Sequence, residues 1–249
     1  MKIELRDIHK HYGRIRANQG ISITFESGKI HGILGENGAG KSTLMKILSG
    51  FTQKTSGEIL LDESRVEYRN PADAAMRGIG MLYQEPLDFP VMTILENYLM
   101  GQSRGIFLRE EAERKKMTSI AGHLRFSLSP YASVQSLTPG ERQQLEIVRL
   151  LSIGIRVLIL DEPTTGISSL QKEILFEALR KLAAEGKTVI MVSHKLEDIE
   201  ALCEQVTVLR QGAVTGEARR PFNPERLLEM VFGSVPKPPS VFKIQEGNP

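Results

Sequence analysis

The sequence has 249 residues, 41% of them hydrophobic, which is enough for one sizeable α/β domain or for two small domains sharing a core. Its 32 basic and 30 acidic residues leave a formal charge of +2, so no nucleic-acid partner is expected. No apolar run is long enough to span a membrane and no secretion-signal pattern begins the chain, so we expect a cytosolic protein. The single cysteine, Cys203, excludes an internal disulfide and is interpreted as a small hydrophobic residue.

The first strands predict a small antiparallel layer, because Ile3–Ile8 and Ile21–Phe25 alternate apolar and polar residues. Later apolar runs are nearly continuous, which is typical of parallel strands covered on both faces: Ile30–Leu34, Ile79–Tyr83, Val157–Leu160 and Thr188–Val192. Helical patterns such as Leu170–Ala184 separate these runs. The alternation predicts an α/β fold with right-handed crossovers.

One stretch breaks this alternation. Residues from about 86 to 140, including the charged segment Arg109–Lys116, predict mainly helix and are interpreted as a helical subdomain within a domain of residues 1–220. Residues 221–249 predict a C-terminal helix followed by a tail or linker, because Ser234–Pro249 holds four prolines and few core-forming residues.

A glycine-rich loop follows the first continuous apolar strand. It fits the phosphate-binding pattern G-x-x-x-x-G-K-[ST] with Gly35, Glu36, Asn37, Gly38, Ala39, Gly40, Lys41 and Ser42. Backbone N–H groups of such a loop and the following helix N-terminus attract a polyphosphate. Lys41 would reach the β- and γ-phosphates, Ser42 would ligate Mg²⁺, and Thr43 can add a phosphate contact. A chance match is the alternative, and the strand before the motif and the helix after it argue against chance.

A second acidic motif ends the strand Val157–Leu160. Asp161 and Glu162 lie where open parallel sheets place their ligands, and adjacent strand residues point to opposite sides. Asp161 therefore fits an outer-shell Mg²⁺ acid, whereas Glu162 fits a base or positioner for attacking water. The alternative is an ordinary Asp-Glu-Pro turn, which the upstream phosphate loop disfavours.

The order of five motifs carries a family resemblance. These are the phosphate loop, Gln84 in Met-Leu-Tyr-Gln-Glu-Pro, the segment Leu137–Gln144, the Asp161-Glu162 pair, and His194 at the end of the next strand. In this order they resemble the ATP-binding cassette ATPases over about residues 3–215. The resemblance implies a P-loop NTPase (RecA-like) parallel-sheet core with an antiparallel β subdomain and a helical subdomain. It also implies ATP hydrolysis with Mg²⁺.

The resemblance also implies a head-to-tail dimer in which each ATP lies between one domain's phosphate loop and the other domain's signature segment. Tyr12 matches the aromatic that stacks on adenine, although packing on the β layer is its alternative. Gln84 matches a glutamine that contacts Mg²⁺ and senses the membrane partner. His194 matches the histidine that holds the γ-phosphate, and Thr138 and Gly140 match signature residues. The implied metal ligands are thus Ser42, Gln84 and Asp161.

Two positions depart from the family pattern. Pro139 replaces a signature glycine and has no N–H to donate, but Thr138, Pro139 and Glu141 together predict a well-capped helix start. We expect weakened rather than abolished function there. Ser168 stands where the loop after the catalytic glutamate usually ends in Asp, which puts communication between the two sites in doubt.

A finer resemblance points to the simple-sugar and nucleoside importer ATPases, which commonly carry two ATPase domains on one polypeptide. It rests on Gly35–Gly50, Gly78–Glu85, Thr93–Asn97 and Gln144–Ile147. The expected partners are a second ATPase domain, identical, different or fused, and membrane permease subunits. The expected location is the cytoplasmic side of the membrane. The alternatives are a soluble cassette ATPase acting in DNA repair or translation, a regulatory module with little turnover, and a P-loop kinase.

Overall fold

The computed structural model describes residues 1–84, 87–100 and 110–233. Strands in these ranges are β1 (Ile3–Tyr12), β2 (Ile15–Phe25), β3 (Ile30–Leu34), β4 (Ser56–Leu61), β5 (Ser64–Val66), β6 (Ile79–Leu82), β7 (Val157–Asp161), β8 (Thr188–Ser193), β9 (Gln205–Arg210) and β10 (Ala213–Arg219). The helices are α1 (Lys41–Leu48), α2 (Pro71–Met76), α3 (Ile94–Leu99), α4 (Glu110–His123), α5 (Pro139–Ser152), α6 (Ser169–Ala184), α7 (Leu196–Leu202) and α8 (Pro224–Phe232). A 3-10 turn spans Val134–Ser136.

The strands form two sheets. An antiparallel sheet has the order β2-β1-β4-β5, and a six-stranded sheet has the order β10-β9-β3-β8-β7-β6. In the larger sheet β9, β3, β8, β7 and β6 run parallel, and β10 pairs antiparallel with β9. The four continuous apolar runs all became neighbouring parallel strands, so the predicted α/β fold with an antiparallel layer is confirmed.

The first two strands are longer than the sequence pattern predicts. The alternation ends at Ile8, yet β1 continues to Tyr12 and pairs with β2 from Ile15 onward. This outer part of the hairpin is solvent-exposed, and Ile15 keeps 69% of its surface accessible. Backbone pairing, which carries no hydrophobic signature, extends the strands there.

Two apolar cores cover the faces of the central sheet. One lies between this sheet, the antiparallel sheet and α1, where Leu44 and Leu48 are fully buried. The other joins the opposite face to helices α3 to α8. At the helical side, Tyr98 is fully buried and its hydroxyl donates to Glu113 Oε2 at 3.1 Å. Cys203 is also fully buried, as expected of a small hydrophobic residue, and burial raises its pKa to about 12.

The register brings the carboxyl ends of three strands to one edge. Leu34 of β3 pairs with Ser193 of β8, and Val192 of β8 pairs with Asp161 of β7. The residues that follow these strands therefore meet at this edge. No helix of the described ranges is long and apolar enough to cross a membrane.

The division of the chain at residue 220 stays a prediction. The described residues between 87 and 138 contain α3, α4 and the 3-10 turn, and the assignment of this stretch to a helical subdomain also stays a prediction. Helix α8 follows residue 220, and its Leu227 and Val231 are buried in the same core as the central sheet. The predicted tail Ser234–Pro249 and residues 85–86 and 101–109, which include Arg109 of the predicted charged segment, lie outside the described residues.

Candidate nucleotide-binding site

The loop between β3 and α1 requires glycine at two positions. Gly35 has φ of 157° and Gly40 has φ of 97°. A Cβ atom at Gly35 would lie 2.2 Å from the Leu209 carbonyl oxygen, and one at Gly40 would lie 2.4 Å from the Ala17 carbonyl oxygen. Backbone packed this closely has no room for a side chain. The loop thus leads from the sheet edge into α1, which begins at Lys41 as expected.

The Lys41 ammonium is held inside this loop. Its Nζ donates to the carbonyl oxygens of Gly35 at 2.7 Å and Glu36 at 3.0 Å, and only 6% of the residue is exposed. Burial lowers the pKa of Lys41, while the nearby Glu162 and Asp161 carboxylates act in the opposite direction. A partly desolvated cation at a helix N-terminus is a strong partner for phosphate oxygens.

Ser42 and Asp161 meet as predicted for a metal site. Ser42 Oγ donates to Asp161 Oδ1 at 3.2 Å, and Asp161 is 5% exposed. Burial raises the pKa of Asp161, whereas the Ser42 hydrogen bond and the Lys41 charge lower it. A hydroxyl and a carboxylate oxygen at one point suit Mg²⁺, which takes hard oxygen ligands and keeps several waters. The described residues contain no group of three His, Cys, Asp or Glu side chains placed for a metal.

Glu162 has an uncommon backbone geometry. Its φ is 52°, which is uncommon for a residue other than glycine and costs of order 1 kcal/mol. The Glu162 N–H donates to the Val192 carbonyl at 3.0 Å, and this bond holds the turn against β8. His194 Nδ1 lies 2.8 Å from Glu162 Oε2, but without hydrogen-bond geometry, so this buried oxygen has no hydrogen-bond donor among the described residues.

A cavity of about 660 Å³ gathers the predicted residues. Its lining includes Asn37, Gly38, Ala39, Gly40, Lys41, Ser42, Thr43, Gln84, Glu162 and His194. Gln84, which follows β6, is exposed, and His194 exposes 46% of its side chain. Residues that follow four different strands, from Asn37 to His194 along the chain, therefore line one cavity.

Tyr12 does not line this cavity. Its ring is 48% exposed and lies 4.7 Å from the Nζ atom of Lys10, near the tip of the β1–β2 hairpin. Ile15 and Arg16 of β2 line the cavity instead. A role for Tyr12 in stacking on adenine stays a prediction.

Two hydrogen bonds that support the phosphate loop were not predicted from the sequence. The fully buried Asn18 of β2 donates from Nδ2 to the Gly40 carbonyl at 3.1 Å, and Gly212 N–H donates to the Ala39 carbonyl at 3.1 Å. Asn18 Oδ1 has no hydrogen-bond partner in the described part of the chain. The sequence feature that could have indicated this role is Asn18 itself, a polar residue that precedes the apolar positions of β2.

The signature segment begins α5 as predicted. Thr138 is the N-cap, Pro139 is the first helical residue, and Thr138 and Glu141 form a capping box. Thr138 Oγ1 donates to Glu141 Oε2 at 2.6 Å and accepts from Gln171 Nε2 at 2.6 Å. Neither Thr138 nor Gly140 lines the cavity. A role of this segment in a partner's site stays a prediction.

Ser168 also forms a cap. Its side chain accepts from Gln171 N–H at 3.3 Å, and Gln171 Oε1 accepts from Ser168 N–H at 3.3 Å, so the pair starts α6 with a capping box. Because Gln171 also donates to Thr138, the two capping boxes are connected. The serine that departs from the family pattern thus stabilises a helix start.

The family model for ABC transporters matches residues 18–165. The ribose import ATP-binding protein RbsA of Yersinia pestis is 38% identical over 234 residues, which are 93% of this chain and 46% of that protein. RbsA of Chromobacterium violaceum is 36% identical over 94% of this chain and 47% of its own length. The chain therefore spans about half the length of these curated relatives.

Solved structures agree with the fold. A nucleotide-free ATP-binding cassette from an ABC transporter has a TM-score of 0.82 at 25% identity and covers 100% of both chains. The ADP conformation of the cassette MJ1267 has a TM-score of 0.81 at 26% identity, covering 92% of this chain and 94% of its own. The dimeric cassette MJ0796 has a TM-score of 0.76 at 27% identity, covering 88% and 100%. With this fold, the phosphate loop and the match over residues 18–165, the chain is an ATP-binding cassette of the ABC transporter family, a family of ATP-hydrolysing transporter subunits.

Proposed function

We propose that this chain binds Mg-ATP and hydrolyses it to drive an importer of ribose or a related simple sugar. The observation that carries the proposal is the cavity that brings Lys41, Ser42, Gln84, Glu162 and His194 to one place. The sugar assignment is supported by the relatives of this chain, which are ribose import ATP-binding proteins. A soluble role in DNA repair or translation has no such support.

Each residue has a chemical task in this proposal. Lys41 and the loop N–H groups bind the phosphates, and Ser42, Asp161 and Gln84 hold Mg²⁺, which neutralises phosphate charge when bound. Glu162 lines the cavity, so its carboxylate can accept a hydrogen bond from an attacking water and orient it. His194 can donate to a γ-phosphate oxygen from the ring edge that does not face Glu162.

The working unit in this proposal is a head-to-tail dimer of ATPase domains. Thr138 and Gly140 lie outside the chain's own cavity, and this placement supports their use in the site of a partner domain. The partner domain is a second copy or a different ATPase half, since the chain covers about half of each curated relative. Permease subunits are the membrane partners, and the cytoplasmic side of the membrane is the location.

The test uses Glu162→Gln, because a protein that binds ATP without hydrolysing it traps the closed dimer. Light scattering after size exclusion should give a dimer mass with Mg-ATP and a monomer mass without it. The matched control is Glu173→Gln on the exposed face of α6, which should turn ATP over and stay monomeric on average. A Glu162→Gln protein that binds no ATP by calorimetry contradicts the proposal. One that binds ATP and remains monomeric points to a different ATPase half as partner.

The sugar assignment has a separate test. With its permease subunits in proteoliposomes, turnover should rise when a ribose-loaded binding protein is added. Stimulation by a nucleoside-loaded binding protein, and not by ribose, would contradict the sugar assignment while leaving the ATPase assignment intact.

A further inference from the structure

A fully buried carboxylate contacts the chain segment that follows Glu162 and belongs to the segment that follows His194. Asp198 in the first turn of α7 has 0% of its surface exposed. Its Oδ2 accepts a hydrogen bond from Thr164 Oγ1, and its Oδ1 accepts one from Lys172 Nζ. Asp198 is four residues after His194, and Thr164 is two residues after Glu162. The carboxylate therefore ties together the segments that carry both residues.

Glu162 and His194 each follow one of two paired strands, and this pairing reaches Asp161 and Val192. Glu162 N–H then donates to the Val192 carbonyl, whereas Lys195 N–H donates to Ser193 Oγ at 3.0 Å within the His194 segment itself. The His194 side chain is about half exposed, and its contact with Glu162 lacks hydrogen-bond geometry. Helix α7 has no side-chain cap, and its first backbone bond, from Ile199 N–H to the Lys195 carbonyl, is 3.4 Å long. Contacts other than a helix cap must therefore fix the start of α7, which follows His194.

Burying Asp198 is costly unless both of its oxygens have partners, so the Thr164 and Lys172 contacts are required for an ionised side chain there. Lys172 is on α6 and also lies 5.5 Å from the Phe176 ring centre, which keeps its stem against the core. The first turn of α7, the turn after Glu162 and helix α6 thereby meet at one carboxylate. Contacts from these three elements to Asp198 can fix the positions of the Glu162 and His194 side chains.

We propose that Asp198 is a positioning residue that fixes His194 relative to Glu162 through its hydrogen bond from Thr164 and its ion pair with Lys172. Its importance for turnover rests on the proposed ATP hydrolysis, whereas its effect on the local structure does not. Without the Thr164 hydrogen bond, the first turn of α7 is no longer attached to the turn after Glu162, and we expect His194 to be misaligned with Glu162. Misplacement of about 1 Å costs on the order of 10²-fold in rate.

The decisive variant is Thr164→Val, which removes the hydroxyl, keeps the branched shape and leaves the Lys172–Asp198 ion pair in place. Thr188→Val is the matched control, because Thr188 is also buried and its hydroxyl donates to the Met1 carbonyl at 2.7 Å, at the opposite end of β8. Thr164→Ser tests rescue, since it restores only the hydroxyl. All three are made in the full chain.

Hydrogen exchange gives a readout that needs no turnover. We expect Thr164→Val to speed amide exchange about tenfold in peptides covering residues 193–199, and Thr188→Val and Thr164→Ser to leave this segment unchanged. Equal exchange in Thr164→Val and the wild type overturns the proposal. So does an increase spread over the whole central sheet, because that result describes a general loss of stability.

Turnover supplies the second readout. We expect the kcat of Thr164→Val to fall at least about tenfold at an unchanged Kd for ATP, with recovery in Thr164→Ser. An unchanged kcat, or a loss of ATP affinity parallel to the loss of kcat, overturns the positioning role. If the wild-type chain itself hydrolyses no ATP, the proposed function fails, and the exchange data still decide whether Asp198 fixes the His194 segment.

Discussion

His194 Nδ1 lies 2.8 Å from Glu162 Oε2, although the two residues follow different strands and the pair lacks hydrogen-bond geometry. The carboxylate is thus next to the imidazole, and both residues line the cavity. This relationship joins the candidate water-orienting group to the candidate γ-phosphate contact, and it motivates the first prediction.

Glu162→Gln should keep ATP binding and lose turnover. An amide oxygen cannot take a proton from water, so we expect phosphate release to fall by about 10²-fold or more while the Kd for ATP stays within about twofold. A phosphate-release assay and calorimetry check the two quantities, with Glu173→Gln as the exposed control. Turnover at the wild-type rate would show that another group orients the water.

Lys41→Ala should lose ATP affinity without losing stability. The ammonium is buried and burial lowers its pKa, so the folded protein gains little from this charge, whereas phosphate oxygens need it. We expect the Kd for ATP to rise at least about tenfold, which is about 1.4 kcal/mol. Lys46→Ala on the same helix removes an equal charge near the Phe51 ring and should leave the Kd unchanged. Equal losses in both variants would mean that the effect is one of net charge.

Thr138→Ala should separate helix capping from dimer closure. Losing the cap of α5 should lower the free energy of unfolding by about 1 kcal/mol. In the Glu162→Gln background we also expect the ATP-dependent dimer to weaken, since in the proposed dimer the hydroxyl serves the partner's site. Thr93→Ala removes an equivalent capping box from α3 and should cost similar stability with the dimer intact. Urea unfolding and light scattering measure the two effects, and equal dimerisation in both variants contradicts the signature role.

His31 should make stability depend on pH. It is 3% exposed on β3, where burial lowers its pKa from 6.5 to about 4 and Nε2 pairs with Thr207 Oγ1 at 2.9 Å. Between these pKa values the unfolded chain binds the extra proton and the native chain does not, so stability is full above pH 6.5 and falls as the pH is lowered towards 4. The His31 contribution to the free energy of unfolding should be about 2 kcal/mol smaller at pH 5 than at pH 8.

His31→Gln tests this assignment, because the amide can still pair with Thr207 but does not titrate. Urea unfolding at several pH values should give a shallower pH dependence for the variant than for the wild type. Parallel curves for the two proteins would show that the imidazole stays neutral in both states or is protonated in both.

The chemical parts of the site were visible in the sequence because each depends on local chain order. A glycine-rich loop between an apolar strand and a helix has few other uses, and the Lys41-Ser42 and Asp161-Glu162 pairs lie at strand ends where ligands bind. Likewise, the start of α5 at Thr138 follows from capping chemistry within four residues, and the structure has that cap. Continuous apolar runs identified the parallel strands for the same local reason, and all four were found in one sheet.

Other features depend on strand order and register, which local patterns do not specify. Asn18 reaches the phosphate loop because the strands bring β2 beside Gly40, and the Thr164–Asp198–Lys172 cluster forms because β7 and β8 are neighbours. The length of β1 depended on backbone pairing beyond the last buried residue. The sequence by itself therefore determined the chemistry of the site and the class of the fold. Only the tertiary structure decided which polar side chains position that chemistry, because contacts between residues far apart in the chain depend on how the sheet is assembled.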